Sequence, residues 1–195
     1  WYDNLFSSDD WARATRNSFI VAPLATLLAT VLGTMAAVGL ARVNFLGKST
    51  LMSLLISPMV VPIVVVGVST YLFFAKIGLS DTYTGLVLVH AALGAPFVLT
   101  TVLATLQGFN HNLVRASLSL GAGPLETFFR VTLPIIAPGV ISGALFAFAT
   151  SFDEVVVTLF IASPESQTLP ITLFSSLRDR LQPTIVVVAL LLSIV

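Results

Sequence analysis

The chain has 195 residues, of which 9 are basic and 9 acidic, so charged side chains are only 9% of it while 56% are hydrophobic. An ordinary soluble domain carries roughly 25% charged residues; a mean hydropathy of +1.01, with uncharged runs long enough to cross a bilayer, excludes that class. Zero net charge without a basic run gives no electrostatic capture of nucleic acid, and the absence of cysteine removes disulfides, thiolate catalysis and cysteine metal sites.

Divided into crossings of about 20 residues plus loops, the length accommodates five. The opening WYDNLFSSDDW is acidic and lacks a basic n-region, so it does not read as a signal peptide. Residues 17–41, NSFIVAPLATLLATVLGTMAAVGLA, are uncharged and end at Arg42, which predicts a first crossing with Asn17 or Ser18 as its N-cap. After the basic loop RVNFLGK, residues 49–75 form a second uncharged run closed by Lys76. Pro58 and Pro62 lie inside it. Proline removes a ladder hydrogen bond that lipid cannot replace, so this helix is expected to be kinked or broken and packed against neighbours. A third crossing over residues 82–108 contains His90 and Pro96, the latter a third expected helix break. With no acid nearby in sequence, His90 reads as a packing residue and not as a metal ligand or proton relay.

Residues 109–138 hold His111, Arg115, Glu126 and Arg130 among glycines and prolines, and are expected not to cross. They are either a surface that faces another component or an interfacial helix lying on lipid through Leu113, Leu118, Leu120, Phe128 and Phe129. Residues 139–152 resume the apolar pattern, with Gly139 and Gly143 spaced GxxxG and small residues at 142, 144, 147 and 149 for close helix packing. Asp153 and Glu154 interrupt it, and VVVTLFIA follows directly. Acids at membrane depth face a bundle interior or a watery cavity, so the pair marks either a solute path in a broken crossing or an interfacial loop between two segments. Residues 163–183 form an amphipathic connector. The last run, TIVVVALLLSIV, rises only about 18 Å as a helix against a hydrocarbon core of roughly 30 Å, so the chain is expected to be part of a longer membrane protein, incomplete at both ends. Basic residues divide four against five between the two sides, which gives no orientation.

No phosphate loop, HExxH or metal-ligand cluster is present, and Ser151, Asp153 and His90 do not make a triad, because nothing marks a nucleophile elbow. The chain is therefore assigned no catalytic residue, no metal and no cofactor of its own.

Residues 115–139, RASLSLGAGPLETFFRVTLPIIAPG, resemble the cytoplasmic loop motif of the membrane subunits of binding-protein-dependent ABC importers: EAA, three residues, glycine, nine residues, isoleucine, one residue, Leu-Pro. Ala116 matches the first alanine, Ser117 replaces the second, Gly121 is the glycine, Val131 replaces isoleucine, and Leu133-Pro134 close the pattern. Arg115 stands where the family usually has glutamate. WYDNLF, NSFIVAP, VGLARVNFLGKS and SFDEVVVTLF extend the likeness over almost the whole chain, which is most similar to the spermidine/putrescine branch. The resemblance implies an all-α, polytopic transmembrane bundle with the type I ABC importer permease fold, seen as helices two to six of six. It places loops 42–50 and 109–138 in the cytoplasm, and makes the latter a coupling helix, held by Gly121 and ending near Leu133-Pro134, that docks on an ATPase.

It further implies a multi-pass protein of the bacterial inner membrane, surrounded by lipid. Its partners would be an identical or homologous permease, two cytoplasmic ATPase subunits that use ATP and magnesium, and a periplasmic solute-binding protein. The implied solute is a polyamine or related cation, which Asp153 and Glu154 would suit. Two other readings stand beside this one: an ion-coupled secondary transporter whose broken helices and acid pair bind the coupling ion, and a structural or sensory membrane subunit that moves no solute.

Overall fold

The computed structural model describes residues 9–179, with side chains up to Ser176. Helix α1 (Asp9–Arg42) is followed by α2 (Lys48–Ile56), a 3-10 turn (Ser57–Met59), α3 (Ile63–Ile77) and α4 (Tyr83–Gln107). Then come α5 (Asn112–Ser119), α6 (Pro124–Thr127), a π-helical turn (Phe128–Thr132), α7 (Leu133–Phe152), α8 (Val156–Ile161) and α9 (Leu169–Asp179). There is no strand among the described residues, as befits a chain whose backbone polar groups must be satisfied without water. Three helical columns are long and apolar enough to cross a membrane: α1, α4, and the continuous run Pro124–Phe152. The α2–α3 pair, bent by 99°, makes at most a fourth. The fifth expected crossing, 184–195, lies outside the described residues.

Helices α1, α4 and α7 pack on one another in all three pairings. Small residues set the approach. A Cβ on Gly33 of α1 would stand 2.7 Å from Val98 Cβ and 2.9 Å from the Ala95 carbonyl of α4. Gly94 of α4 faces Ala147 of α7 and Ala29 of α1, so the three helices meet at one level. Gly139 and Gly143 lie against Thr101, Thr105 and Val98, which makes the GxxxG face the α4 contact, while Ser142 and Ala149 point outward. By contrast, α2 buries no residue and α3 buries only Gly67 and Phe74, leaving Val60, Val64, Val65, Leu72 and Phe73 exposed. The second uncharged run is thus broken, with Pro58 in the 3-10 turn and Pro62 as the N-cap of α3.

Several expectations are corrected. Pro96 breaks nothing: α4 runs through it, because one missing N–H leaves a single carbonyl short while Gly94 and Val98 on either side are clamped by α1 and α7. Asn17 and Ser18 do not cap α1, which starts two turns earlier at Asp9. Both are buried tertiary anchors. Asn17 Nδ2 donates to the carbonyls of Glu165 and Gln167 at 2.9 and 2.8 Å, and its Oδ1 accepts from the Tyr83 hydroxyl at 2.7 Å. Ser18 Oγ accepts from the Leu169 N–H at 2.8 Å, so it does cap a helix, but that helix is α9.

Residues 109–138 are likewise not one short helix and loop: their second half is continuous with α7. After α5, Gly121 (φ 89) forms a Schellman turn, in which Ala122 N–H donates to Ser117 O at 3.2 Å and Gly121 N–H to Leu118 O at 3.0 Å. The next column already starts at Pro124, a favoured first-turn residue. Leu133 and Pro134 therefore do not end the short helix; they continue the column. The π turn explains how: an α-helical Pro134 would drive its ring into the Arg130 carbonyl, and widening the ladder over Phe128–Thr132 relieves that clash.

Gly33→Ala should destabilise the protein by about 1–3 kcal/mol, the usual effect of overpacking. Gly39→Ala, whose Cβ meets nothing within 4 Å, should be neutral or better; thermal unfolding of the two variants in detergent compares them directly.

Candidate functional site

Two places carry the polar chemistry of the chain, and they lie at opposite ends of α7. At its C-terminal end, α7 stops at Phe152 and α8 restarts at Val156, so the break spans Asp153–Val155. A helix end releases carbonyls and the next helix start releases N–H groups, which within a bilayer need protein partners. Glu154 Oε1 accepts from the Val157 N–H at 2.9 Å, and Asp153 N–H closes the last turn on Ala149 O at 3.0 Å. Asp153 is exposed and Glu154 half-buried. The pair thus stands in a three-residue break between two helices, at the end of the apolar column.

His90, fully buried on α4, spans this break. Its Nδ1 lies 2.9 Å from Ser151 Oγ and 3.1 Å from Ser151 O, in the last turn of α7; its Nε2 lies 3.0 Å from Thr158 Oγ1, in the first turn of α8. Both hydroxyls donate or accept, so either ring tautomer finds a partner on each side. Thr158 Oγ1 also reaches the Glu154 carbonyl at 3.1 Å. His90 sits about 10 Å along α4 from Tyr83, at 1.5 Å per residue, and the break it faces follows directly on the end of the apolar column Pro124–Phe152. Ser151 and His90 do meet, yet Asp153 does not join them; the ring's second nitrogen is taken by Thr158, so no relay forms. Among the described residues there is no group of three potential metal ligands. The far edge of α8 is held by Asp81 N–H donating to Ile161 O at 3.0 Å and by Phe160 seated on Gly67 of α3.

At the other end of α7 lies the motif segment. Helix α5 leans on the core through half-buried Val114, while Arg115 and Ala116 are exposed. Arg115 forms no ion pair among the described residues. Ser117 Oγ lies 3.0 Å from Thr127 Oγ1, a buried hydroxyl, which ties α5 to α6. Val131 is in the π turn; Leu133 packs on the core and Pro134 lies in the first turn of α7. Leu113, Leu118, Leu120, Leu125 and Phe129 remain exposed around Arg115. The 20 residues of α7 separate this segment from Asp153 and Glu154 by about 30 Å. Pro58, Pro62 and Pro96 belong to neither end.

Sequence reasoning missed Ser117, Ser151 and Thr158 as polar anchors and took His90 for packing alone. The available signal was the rarity of polar residues in apolar runs: Ser151 and Thr158 flank the acid pair by two and four positions.

Residues 29–195 match the family of binding-protein-dependent transport system inner membrane components. The chain is 32% identical over 185 residues to the spermidine/putrescine transport system permease protein PotC of Haemophilus influenzae, covering 95% of this chain and 72% of that protein. It is 33% identical to the putrescine transport system permease protein PotI of Escherichia coli, with 98% and 71% covered, and 30% identical to PotC of the same organism, with 98% and 73% covered. With apolar helical columns of spanning length and motif residues clustered at one end of α7, the chain belongs to the inner membrane components of binding-protein-dependent transport systems, the permease subunits with the type I ABC importer fold.

Proposed function

We propose that this chain is the translocation subunit of an ATP-driven polyamine importer of the bacterial inner membrane. It acts beside an identical or homologous permease, receives solute from a periplasmic binding protein and docks through α5 on cytoplasmic ATPase subunits, two per complex, which hold the ATP and magnesium. The chain supplies no ATPase site of its own. The observation that carries the reading is mechanical: the α6–π–α7 column is continuous from Thr127, to which α5 is bonded, to the break that bears Asp153 and Glu154. A displacement of α5 by a motor is thereby delivered to the acids.

The electrostatics favour a cationic solute. Asp153 follows the C-terminal end of α7, where the helix dipole and unpaired carbonyls add negative potential, while Glu154 turns one oxygen to the start of α8 and keeps its other oxygen for a solute. Linear diammonium and triammonium solutes suit such a place, and the named substrates of the PotC and PotI relatives are of that class. On this reading the loops after α1 and α4 face the cytoplasm, and Arg115, standing where the family motif has glutamate, meets an acidic patch on its own ATPase.

The test is uptake of labelled putrescine or spermidine into proteoliposomes holding the complete complex. Uptake should require ATP and the binding protein; uptake driven by an ion gradient without hydrolysis would mean a secondary transporter, and no uptake a structural subunit. The double variant Asp153→Asn/Glu154→Gln should lower uptake at least tenfold while the ATPase subunits still copurify, and unchanged uptake would remove the acids from the path. Arg115→Glu should weaken retention of the cognate ATPase on the order of tenfold, since like charges across an interface are strongly unfavourable; equal retention in a pull-down would show that Arg115 faces no acid.

A further inference from the structure

A solute path lined by two acids works only if those acids are held at a defined place, and a three-residue break in a helix is a poor holder. Nothing in residues 153–155 fixes the angle between α7 and α8 by itself. The Glu154 cap on Val157 is local to α8, and the Asp153 N–H bond is local to α7. Among the described residues, the one side chain bonded to both helices across the break comes from a third helix: His90, 1% exposed, with Nδ1 on Ser151 and Nε2 on Thr158. Its backbone is anchored in turn, because Gly94, one turn further along α4, is wedged between Ala147 and Ala29.

We propose that His90 is a positioning residue of the translocation path, latching α7 to α8 through Ser151 and Thr158 so that Asp153 and Glu154 stay where solute passes. This rests on the importer reading above. An imidazole suits the task because it is rigid, presents polar atoms on opposite edges, and pairs with a hydroxyl at either one in both neutral tautomers. Ser151 and Thr158 suit it because each hydroxyl adapts as donor or acceptor, so the latch closes whichever nitrogen carries the proton. Opening it leaves a buried ring nitrogen without its hydroxyl partner, so the closed form is favoured.

These 195 residues hold no cysteine, so in a complex whose other cysteines are replaced a thiol reagent reports a single introduced position. In the complete complex in proteoliposomes, His90→Leu, Thr158→Val and the double variant are each compared with the parent for polyamine taken up per ATP hydrolysed. In the same backgrounds, an introduced cysteine at exposed Asp153 is titrated with a cationic thiosulfonate reagent. Each single variant should lower uptake per ATP about tenfold and change the labelling rate at position 153 at least fivefold, and the double variant should be no worse than either single one, because both remove the same bond. A merely structural role would reduce the amount of assembled complex and leave both ratios unchanged, which would overturn the proposal, as would additive effects in the double variant. Should His90→Leu fail to assemble, the near-isosteric Thr158→Val decides alone. Failure of the parent complex to take up polyamine under ATP would overturn the importer reading instead, and the labelling rates would still report whether the latch fixes position 153.

Discussion

In hydrocarbon a helix is the only local structure that satisfies its own backbone, so each interruption of a crossing must be completed by side chains from elsewhere in the protein. The break after Phe152 shows this most plainly. Its freed groups are met by Glu154 from within the break and by His90 from α4, while the Asp81 N–H from the turn before α4 holds the far end of α8 at Ile161. Two of these three partners belong to the α4 region. The break therefore exists as a defined object only because α4 is already in place beside it.

What keeps α4 in place is close approach on two sides. Gly33 and Ala29 of α1, and Gly139, Gly143 and Ala147 of α7, let three backbones come together without large side chains between them. Water does not drive this association in a membrane, so van der Waals contact at such positions carries it. The threonines of α4 fit the same scheme: Thr100, Thr101 and Thr105 donate to carbonyls three or four residues back on their own helix, which satisfies the hydroxyls and frees the interface to pack as if it were apolar.

Much of this was readable in the amino acids, and where it was not, the reason is specific. Gly121 and the GxxxG pair were legible because each residue answers to a local geometric need, a left-handed turn in one case and contact distance in the other. The acid pair was legible because charge in an apolar run has few uses. Asn17 and Ser18 misled because a capping residue and a tertiary anchor have the same chemistry, and only the fold decides whether the orphan N–H belongs to the helix that carries the serine or to α9. Pro96 misled because the effect of a missing N–H depends on how tightly the neighbouring turns are clamped. The early start of the helical column was hidden by polarity: Glu126 and Arg130 suggest a loop, but at i, i+4 they pair at 3.0 Å on the outer face of a helix.

The uneven packing has a consequence for motion. Helices α1, α4 and α7 interlock through glycines whose added Cβ atoms would stand within 3.0 Å of a neighbour, and such packed faces slide little, so the trio moves as a body. Freedom is left at the 99° bend between α2 and α3, where almost nothing is buried, and at the α7–α8 break, where a few directional bonds do the holding. α3 and α8 are joined to each other through Gly67 and Phe160, so the two free places are coupled. With α7 interlocked in the packed trio, displacement at the break is left to α8 together with α3. Across the break itself, directional hydrogen bonds from His90 to Ser151 and Thr158 hold α8 to α7.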